Sequence, residues 1–229
     1  MGCGCECDVC VVCGRVVGGD SAVIEADRFL ARSSDREAWL WHREQGVTAT
    51  MVSKAATPAG FAEVVAEMEA ERREITPNAY MDWGNEREPD IAEVVKERFG
   101  IMPNDWFISA GGKLSPDRWM MATPDGLSLD HKVIGEYKTT GKPLDKIPAH
   151  YMRQVQWQMW VTDAERCLFA YELRLDAPGG FAPDFDINTQ WVDRDDKKIK
   201  ELVAVAEKLQ TINVYASWDQ REELENGSV

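Results

Sequence analysis

The spacing of hydrophobic and polar residues changes character partway along the chain. In residues 22–32 and 35–42, apolar and charged residues mix in a way that predicts two short helices, and Gly46 to Lys54 reads as a turn leading into a helix. Ala59 to Glu74, rich in Ala, Glu, Met and Arg, predicts a longer helix. Another is expected from about Ala79 to Phe99, stopped by Gly100 and kinked at Pro89. After Asn104 the period shortens. Trp106 to Ala110, Arg118 to Thr123 and Lys132 to Thr139 read as strands separated by turns containing Gly, Pro and Asp. Pro148, at a first helical position, opens a helix running to about Thr162. Strands follow at Arg166 to Leu175 and Asp186 to Val192, joined by a loop with Pro178, Gly179, Gly180 and Pro183. An amphipathic helix covers Asp195 to about Tyr215. No internal repeat is visible. Helices, a strand cluster, a helix, strands and a helix predict an α/β fold with a mixed central β-sheet flanked by helices.

The 229 residues suit one domain with appendages: a Cys-rich tail at 1–20, a domain at 21–217 and an acidic tail at 218–229. Hydrophobic content of 44% with nine Trp supports a globular core. No apolar run approaches the roughly 18 residues of a bilayer span, so no membrane partner is expected. The N-terminus lacks a basic leader followed by an apolar stretch, so a cytosolic location is inferred. The net charge of −14 argues against broad adhesion to nucleic acid. That total hides its distribution. Acidic residues concentrate in Glu63 to Glu74 and Asp219 to Glu225, whereas Arg43, Lys138, Lys142, Lys146 and Arg153 could line a basic groove.

Five of the six cysteines, Cys3, Cys5, Cys7, Cys10 and Cys13, crowd the N-terminus. In a cytosolic chain they suggest metal or redox chemistry, yet their spacing is tighter than usual zinc patterns and no His lies near. A disordered thiol-rich tail is an equal reading. Cys167, in an apolar strand, reads as a small buried side chain.

The chemistry concentrates between Thr123 and Gln158. On a strand, Glu136 and Lys138 share a face, while Tyr137 points away and leaves its carbonyl available. An antiparallel return, through a connection at Gly126 to His131, would set Asp125 beside Glu136. Two carboxylates in a partly dry cleft repel unless a proton or cation intervenes. Oxygen ligands of this kind suit Mg2+ or Mn2+, which polarises a phosphate and lowers the pKa of a bound water. Lys138 could orient that water or neutralise developing charge. Taken singly, Pro-Asp-Gly is an ordinary turn and Glu-x-Lys an ordinary exposed-strand pattern. Their conjunction carries the weight. In the helix that follows, Tyr151, Gln154, Val155 and Gln158 form one stripe, and Met152, Trp157, Met159 and Trp160 imply burial of much of the rest. Buried amides at Gln154 and Gln158 need partners, which substrate phosphate, water on a metal or neighbouring backbone would provide.

Three strings carry a resemblance: Ala122-Thr123-Pro124-Asp125-Gly126-Leu127, Gly135-Glu136-Tyr137-Lys138, and Tyr151 through Thr162. Together they resemble the lambda exonuclease / YqaJ-type viral recombinase family, a branch of the PD-(D/E)xK (restriction-endonuclease-like) nucleases. Upstream, Trp39-Leu40-Trp41-His42-Arg43 with Val47-Thr48-Ala49-Thr50, and Trp83-Gly84-Asn85-Glu86-Arg87-Glu88-Pro89, are similar to further family segments. The resemblance implies that Asp125, Glu136 and the Tyr137 carbonyl bind Mg2+ or Mn2+ and that Lys138 is the catalytic lysine. It implies an accessory acid at Glu88, and contact of Gln154 and Tyr151 with active-site water or DNA. It matches Arg43, Thr50 and Thr123 to positions that receive a terminal 5′-phosphate. Thr50 and Thr123 stand where serines are usual, and the loop after Arg43 is locally shifted, so the metal site transfers more directly than the phosphate pocket. Arg43 alone would read as a surface arginine.

The implied activity is 5′→3′ digestion of linear double-stranded DNA for phage-type recombination. DNA ends, a single-strand annealing protein and a homo-trimer are the implied partners. An endonuclease or iron-sulfur nuclease of the same superfamily, or a non-enzymatic metal- or thiol-dependent interaction protein, are the alternatives.

Overall fold

The computed structural model describes residues 23–70 and 78–226. A 3-10 turn at Ala26–Arg28 leads into β1 (Phe29–Arg32), then α1 (Arg36–Gln45), β2 (Val47–Thr48), α2 (Ala49–Ala55) and α3 (Pro58–Glu69). Asp35 accepts from the Ala38 N–H at the start of α1, and Thr57 accepts from the Gly60 N–H at the start of α3 with Pro58 following it. Helix α4 (Ala79–Phe99) opens on Asn78, whose side chain accepts from the Tyr80 and Met81 N–H groups. It closes on Gly100, left-handed at φ 69°. Pro89 sits inside α4 without ending it.

Then come β3 (Met102–Pro103), β4 (Trp106–Ser109), β5 (Met120–Ala122), β6 (Gly126–Leu127), β7 (Val133–Thr140), α5 (Ala149–Thr162), β8 (Arg166–Ala177), β9 (Gly180–Asp193) and α6 (Asp196–Asn226). The architecture is mixed α/β with flanking helices, as expected, but the strands divide into two sheets. One runs β1-β4-β5-β2 and the other β3-β6-β7-β8-β9.

Several expectations need correction. Residues 23–32 form a turn and strand instead of a helix, because Phe29, Ala31 and Arg32 pair antiparallel with β4. The turn expected at Gly46 contains a two-residue strand parallel to β5. The Arg118 to Thr123 strand begins only at Met120, after a 3-10 turn at Pro116–Trp119. The loop expected around Pro178 to Pro183 is a tight hairpin in which Ala177 pairs with Gly180 and Pro183 sits within β9 opposite Arg174. Pro148 is the N-cap of α5 and not its first helical residue. Helix α6 runs on to Asn226, through most of the expected acidic tail, over residues with good helix propensity. The Cys-rich segment 1–20 and the 71–74 end of the expected third helix lie outside the described residues.

Helix α5 organises the core. Val155, Trp157, Met159 and Val161 are fully buried, and the Trp157 indole N–H donates to the Met121 carbonyl at 3.0 Å, tying the helix to β5. Two arginines anchor its C-terminal end. Arg28 donates to the carbonyls of Ser109 and Val161 and pairs with Asp163 at 2.7 Å. Arg194 donates to the Met159 carbonyl at 2.8 Å and that of Ala164 at 3.2 Å. Cations at this end satisfy orphan carbonyls and complement the helix dipole. On the other face of the second sheet, α4 packs Ile91, Ala92 and Val95 against Tyr137, Leu168 and Ala170.

The turn between β6 and β7 predicts a pH response. His131 adopts a left-handed conformation (φ 60°), and its Nδ1 accepts the Ile24 N–H at 2.9 Å, which requires a neutral ring. Burial holds its pKa below the ordinary value, with Arg28 adding to the effect and Asp130 opposing it. The unfolded chain therefore binds more protons below about pH 6.5. This contribution to stability is present above that pH and is lost as pH falls. His131→Asn, which tolerates the left-handed backbone, should flatten part of the fall in thermal midpoint between about pH 7 and pH 5. An unchanged slope in thermal melts would refute it.

Candidate active site

Strand β7 lies between β6 and β8; β8 pairs along its whole length, whereas β6 pairs only with Ile134 and Gly135 and leaves the Tyr137 N–H and carbonyl outside the ladder on that edge. Alternation along β7 places Glu136 and Lys138 on one face and Tyr137 on the other. Tyr137 is buried against α4, over the cross-strand pair Gly126 and Gly135. A Cβ on either glycine would come within 2.3 or 2.5 Å of the Tyr137 hydroxyl. Gly126 is therefore required by this ring and belongs to β6; Pro-Asp-Gly is not a simple turn.

Asp125 is held from three sides. Its N–H donates to the Gly135 carbonyl at 3.0 Å, and its own carbonyl accepts the Asn104 N–H at 2.9 Å. Its Oδ2 accepts the Tyr137 N–H at 2.6 Å. This brings its carboxylate to the Glu136 face. Lys138 Nζ lies 2.5 Å from Glu136 Oε1, 3.0 Å from the Tyr137 carbonyl and 3.9 Å from Asp125 Oδ2. The three oxygens expected to bind metal thus converge on one cation, the lysine ammonium.

The electrostatics follow from burial. Asp125 is pushed well above the usual carboxylate range by desolvation, with Glu136 and Glu88 adding and Lys138 and the Tyr137 N–H opposing. Desolvation works against the Lys138 charge, but Glu136 and Asp125 outweigh it and its pKa is raised. Glu88 keeps contact with solvent on α4, yet partial desolvation raises its pKa, against Lys138 and with Glu136. One lysine does not balance these carboxylates. Two carboxylates and a carbonyl aimed at one point, in surroundings that favour further positive charge, fit a hard divalent cation. Among the described residues no three acidic, His or Cys side chains form a ready-made cage, so a cation held here would need the Tyr137 carbonyl beside the two carboxylates.

Helix α5 places its two amides differently. The Gln158 amide N–H donates to Glu136 Oε2 at 2.8 Å, leaving Oε1 toward Lys138. The Gln154 amide N–H donates to Thr50 Oγ1 at 3.3 Å, joining α5 to α2. The Oε1 atoms of both glutamines, and Thr123 Oγ1, are buried without a partner. The Tyr151 ring centroid lies 5.7 Å from Lys138 Nζ. Arg43 packs over the Trp39 ring on α1 at 5.0 Å. Glu136, Lys138, Asp125 and Tyr151 therefore cluster, Gln154 and Thr50 pair beside them, and Arg43 is held on α1.

Sequence reasoning missed two supports. One is the bond from Gln158 to Glu136, for which buried amides gave only a general signal. The other is the Arg87–Glu172 pair, with Nε to Oε2 at 2.8 Å and a second bond at 3.0 Å, which fixes α4 beside Glu88. A carboxylate inside the apolar run of β8 was its available signal.

Solved structures are similar to this chain. An alkaline exonuclease (LHK-Exo) from Laribacter hongkongensis is 25% identical, with 82% of this chain and 98% of that chain covered and a TM-score of 0.63. The same exonuclease in complex with dAMP aligns at 0.62. A phage related exonuclease from Haemophilus somnus 129PT, 15% identical over 76% of this chain and 96% of its own, aligns at 0.59 and bears on the fold alone. No curated protein sequence matches. The fold is that of the PD-(D/E)xK nucleases. Residues 38–165, more than half of the chain, match the YqaJ-like viral recombinase domain, and the chain belongs to that family.

Proposed function

We propose that this protein is a metal-dependent DNA nuclease, acting as a 5′→3′ exonuclease on linear duplex ends in phage-type recombination. Its expected setting is the cytoplasm, with a single-strand annealing protein and two further copies of itself as partners. Among the described residues no helix is long and apolar enough to cross a membrane. The observation that carries this reading is the convergence of Asp125, Glu136 and the Tyr137 carbonyl on a single cationic position. Similarity to an alkaline exonuclease supports it.

In this reading Asp125, Glu136 and the Tyr137 carbonyl hold Mg2+ or Mn2+, with Glu88 assisting. When bound, the cation polarises the scissile phosphate and favours ionisation of the attacking water. Gln158 keeps Glu136 turned so that one oxygen faces the reacting group. Lys138, released from Glu136, donates to the phosphate oxygen or holds the nucleophile as charge develops. Gln154 and Tyr151 line the approach, and the orphan Gln154 Oε1 accepts from water or a nucleobase amine. Thr50, Thr123 and Arg43 receive the terminal 5′-phosphate, to which the unpartnered Thr123 hydroxyl would donate.

Asp125→Ala and Lys138→Ala should each lower Mg2+-dependent digestion of end-labelled linear duplex by on the order of 10³-fold or more, several kcal/mol of transition-state stabilisation. Undiminished digestion by either variant, or equal cutting in chelator, would overturn the assignment. Closed circular duplex should resist.

Gln158→Met, close in volume, should raise the Mg2+ concentration needed for half-maximal activity by about tenfold, with excess Mg2+ restoring most of the rate. A merely packing role predicts lower thermal stability and no rescue by metal.

A 5′-hydroxyl end should be digested more slowly than a 5′-phosphate end, and Arg43→Ala should erase the difference. Equal rates for both ends in the wild-type protein would remove the phosphate pocket.

A further inference from the structure

Beside the active site, α2 and the starts of α3 and α5 enclose an open pocket of about 450 Å³, lined in part by Thr50, Ser53, Lys54, His150, Arg153 and Gln154. A space of this size suits a small polar ligand or a single unit of a strand. Lys54 adds no free positive charge, because Glu63 at 2.9 Å and Glu67 at 2.8 Å together outweigh it, and Glu63 also lines the pocket. Arg153 is different. Its Nε–H donates to the Ser53 carbonyl at 2.8 Å, and the Ser53 hydroxyl donates to the His150 carbonyl at 2.6 Å. These bonds brace the start of α5 against α2 and fix the guanidinium. Among the described residues Arg153 has no carboxylate partner.

Further observations concern the same wall. The Gln154 amide N–H reaches Thr50 across the pocket, while its Oε1 is buried and unpartnered. A Cβ on Gly60 would lie 2.0 Å from the Lys54 carbonyl, so the first turn of α3 is pressed tightly onto the end of α2. That turn adds the positive end of a helix dipole. His150 is held below its ordinary pKa first by burial and then by the positive charges of Arg153 and Lys138, which both act on this wall of the pocket.

We propose that Arg153 forms a phosphate subsite for the DNA strand next to the scissile position, with Thr50 and Gln154 linking it to the catalytic group. The proposal rests on the nuclease reading and names a contact, Arg153, beyond the terminal-phosphate residues Arg43, Thr50 and Thr123; Thr50 is where the two sites would adjoin. A guanidinium anchored through Nε presents its remaining N–H groups as a fork to phosphate oxygens. Each phosphate neutralised releases counterions, so the subsite has a signature in salt dependence.

The test measures binding of a short labelled duplex in chelator by fluorescence anisotropy across a KCl series. Arg153→Gln keeps an amide donor for the Ser53 carbonyl and removes the charge. It should weaken binding about tenfold and reduce the slope of log K against log salt by about 0.9, the value for one phosphate. Arg166→Ala, which removes a cation at the start of β8 where it pairs with Asp193, should keep the wild-type slope. An Arg153→Gln slope equal to wild type, or an equal loss in Arg166→Ala, overturns the subsite. A dAMP titration separates strand from released nucleotide: weaker dAMP binding with an unchanged duplex slope overturns the strand assignment. If Arg153→Gln melts lower, Arg153→Lys, which keeps the charge, must recover the slope; failure to do so overturns it. Digestion is followed in parallel. Wild-type protein that binds duplex without metal-dependent cutting refutes the nuclease reading alone. Cutting by a protein indifferent to Arg153 refutes the subsite alone.

Discussion

Two acidic side chains, Asp125 and Glu136, share a poorly solvated space with the ammonium of Lys138, and much of the surrounding structure can be understood as what keeps them there. Glu136 is 2% exposed. A carboxylate removed from water to that degree is costly unless charge and hydrogen bonds compensate. Glu136 receives both, from Lys138 on one oxygen and Gln158 on the other. Asp125 receives the Tyr137 N–H and a more distant lysine. The balance remains incomplete, which is why desolvation and mutual repulsion raise the Asp125 pKa. An arrangement that stops short of neutrality is suited to taking up another cation.

The scaffold supports this charge cluster from two directions. Helix α5 is anchored at its C-terminal end by Arg28 and Arg194 and at its middle by Trp157, so the turns carrying Gln154 and Gln158 are held in position against β7 and α2. Helix α4 packs on the opposite face of the sheet, and the Arg87–Glu172 pair fixes the turn that carries Glu88. Removing one partner of so buried a pair would cost about 3–5 kcal/mol. The glycine pair at 126 and 135 has a related role. It leaves room for the Tyr137 ring on the face away from the carboxylates, while the Tyr137 N–H and carbonyl bond Asp125 and Lys138.

Net charge and local field differ here. The chain carries −14 overall, yet His150 has its pKa depressed in part by neighbouring positive charge from Arg153 and Lys138. Where the charges sit, and not their total, decides whether a phosphate backbone can approach.

Much of this was legible in the residues themselves. Local signals sufficed for α4, with Asn78 and Gly100 at its ends, and for α5, β7 and β8, each long enough to carry its own propensity and boundary signals. The i, i+2 rule alone put Glu136 and Lys138 on one side. Short elements were not legible, since β1, β2, β3 and β6 are strands only because another segment pairs with them, as Phe29 does with Ile108 and Met102 with Leu127. For the same reason the partner of each buried amide lay beyond the sequence. Gln154 and Gln158 are one turn apart and chemically identical, yet one meets Thr50 and the other Glu136. Helical spacing determines which side chains share a stripe; the packing of that helix against β7 and α2 determines what each one touches.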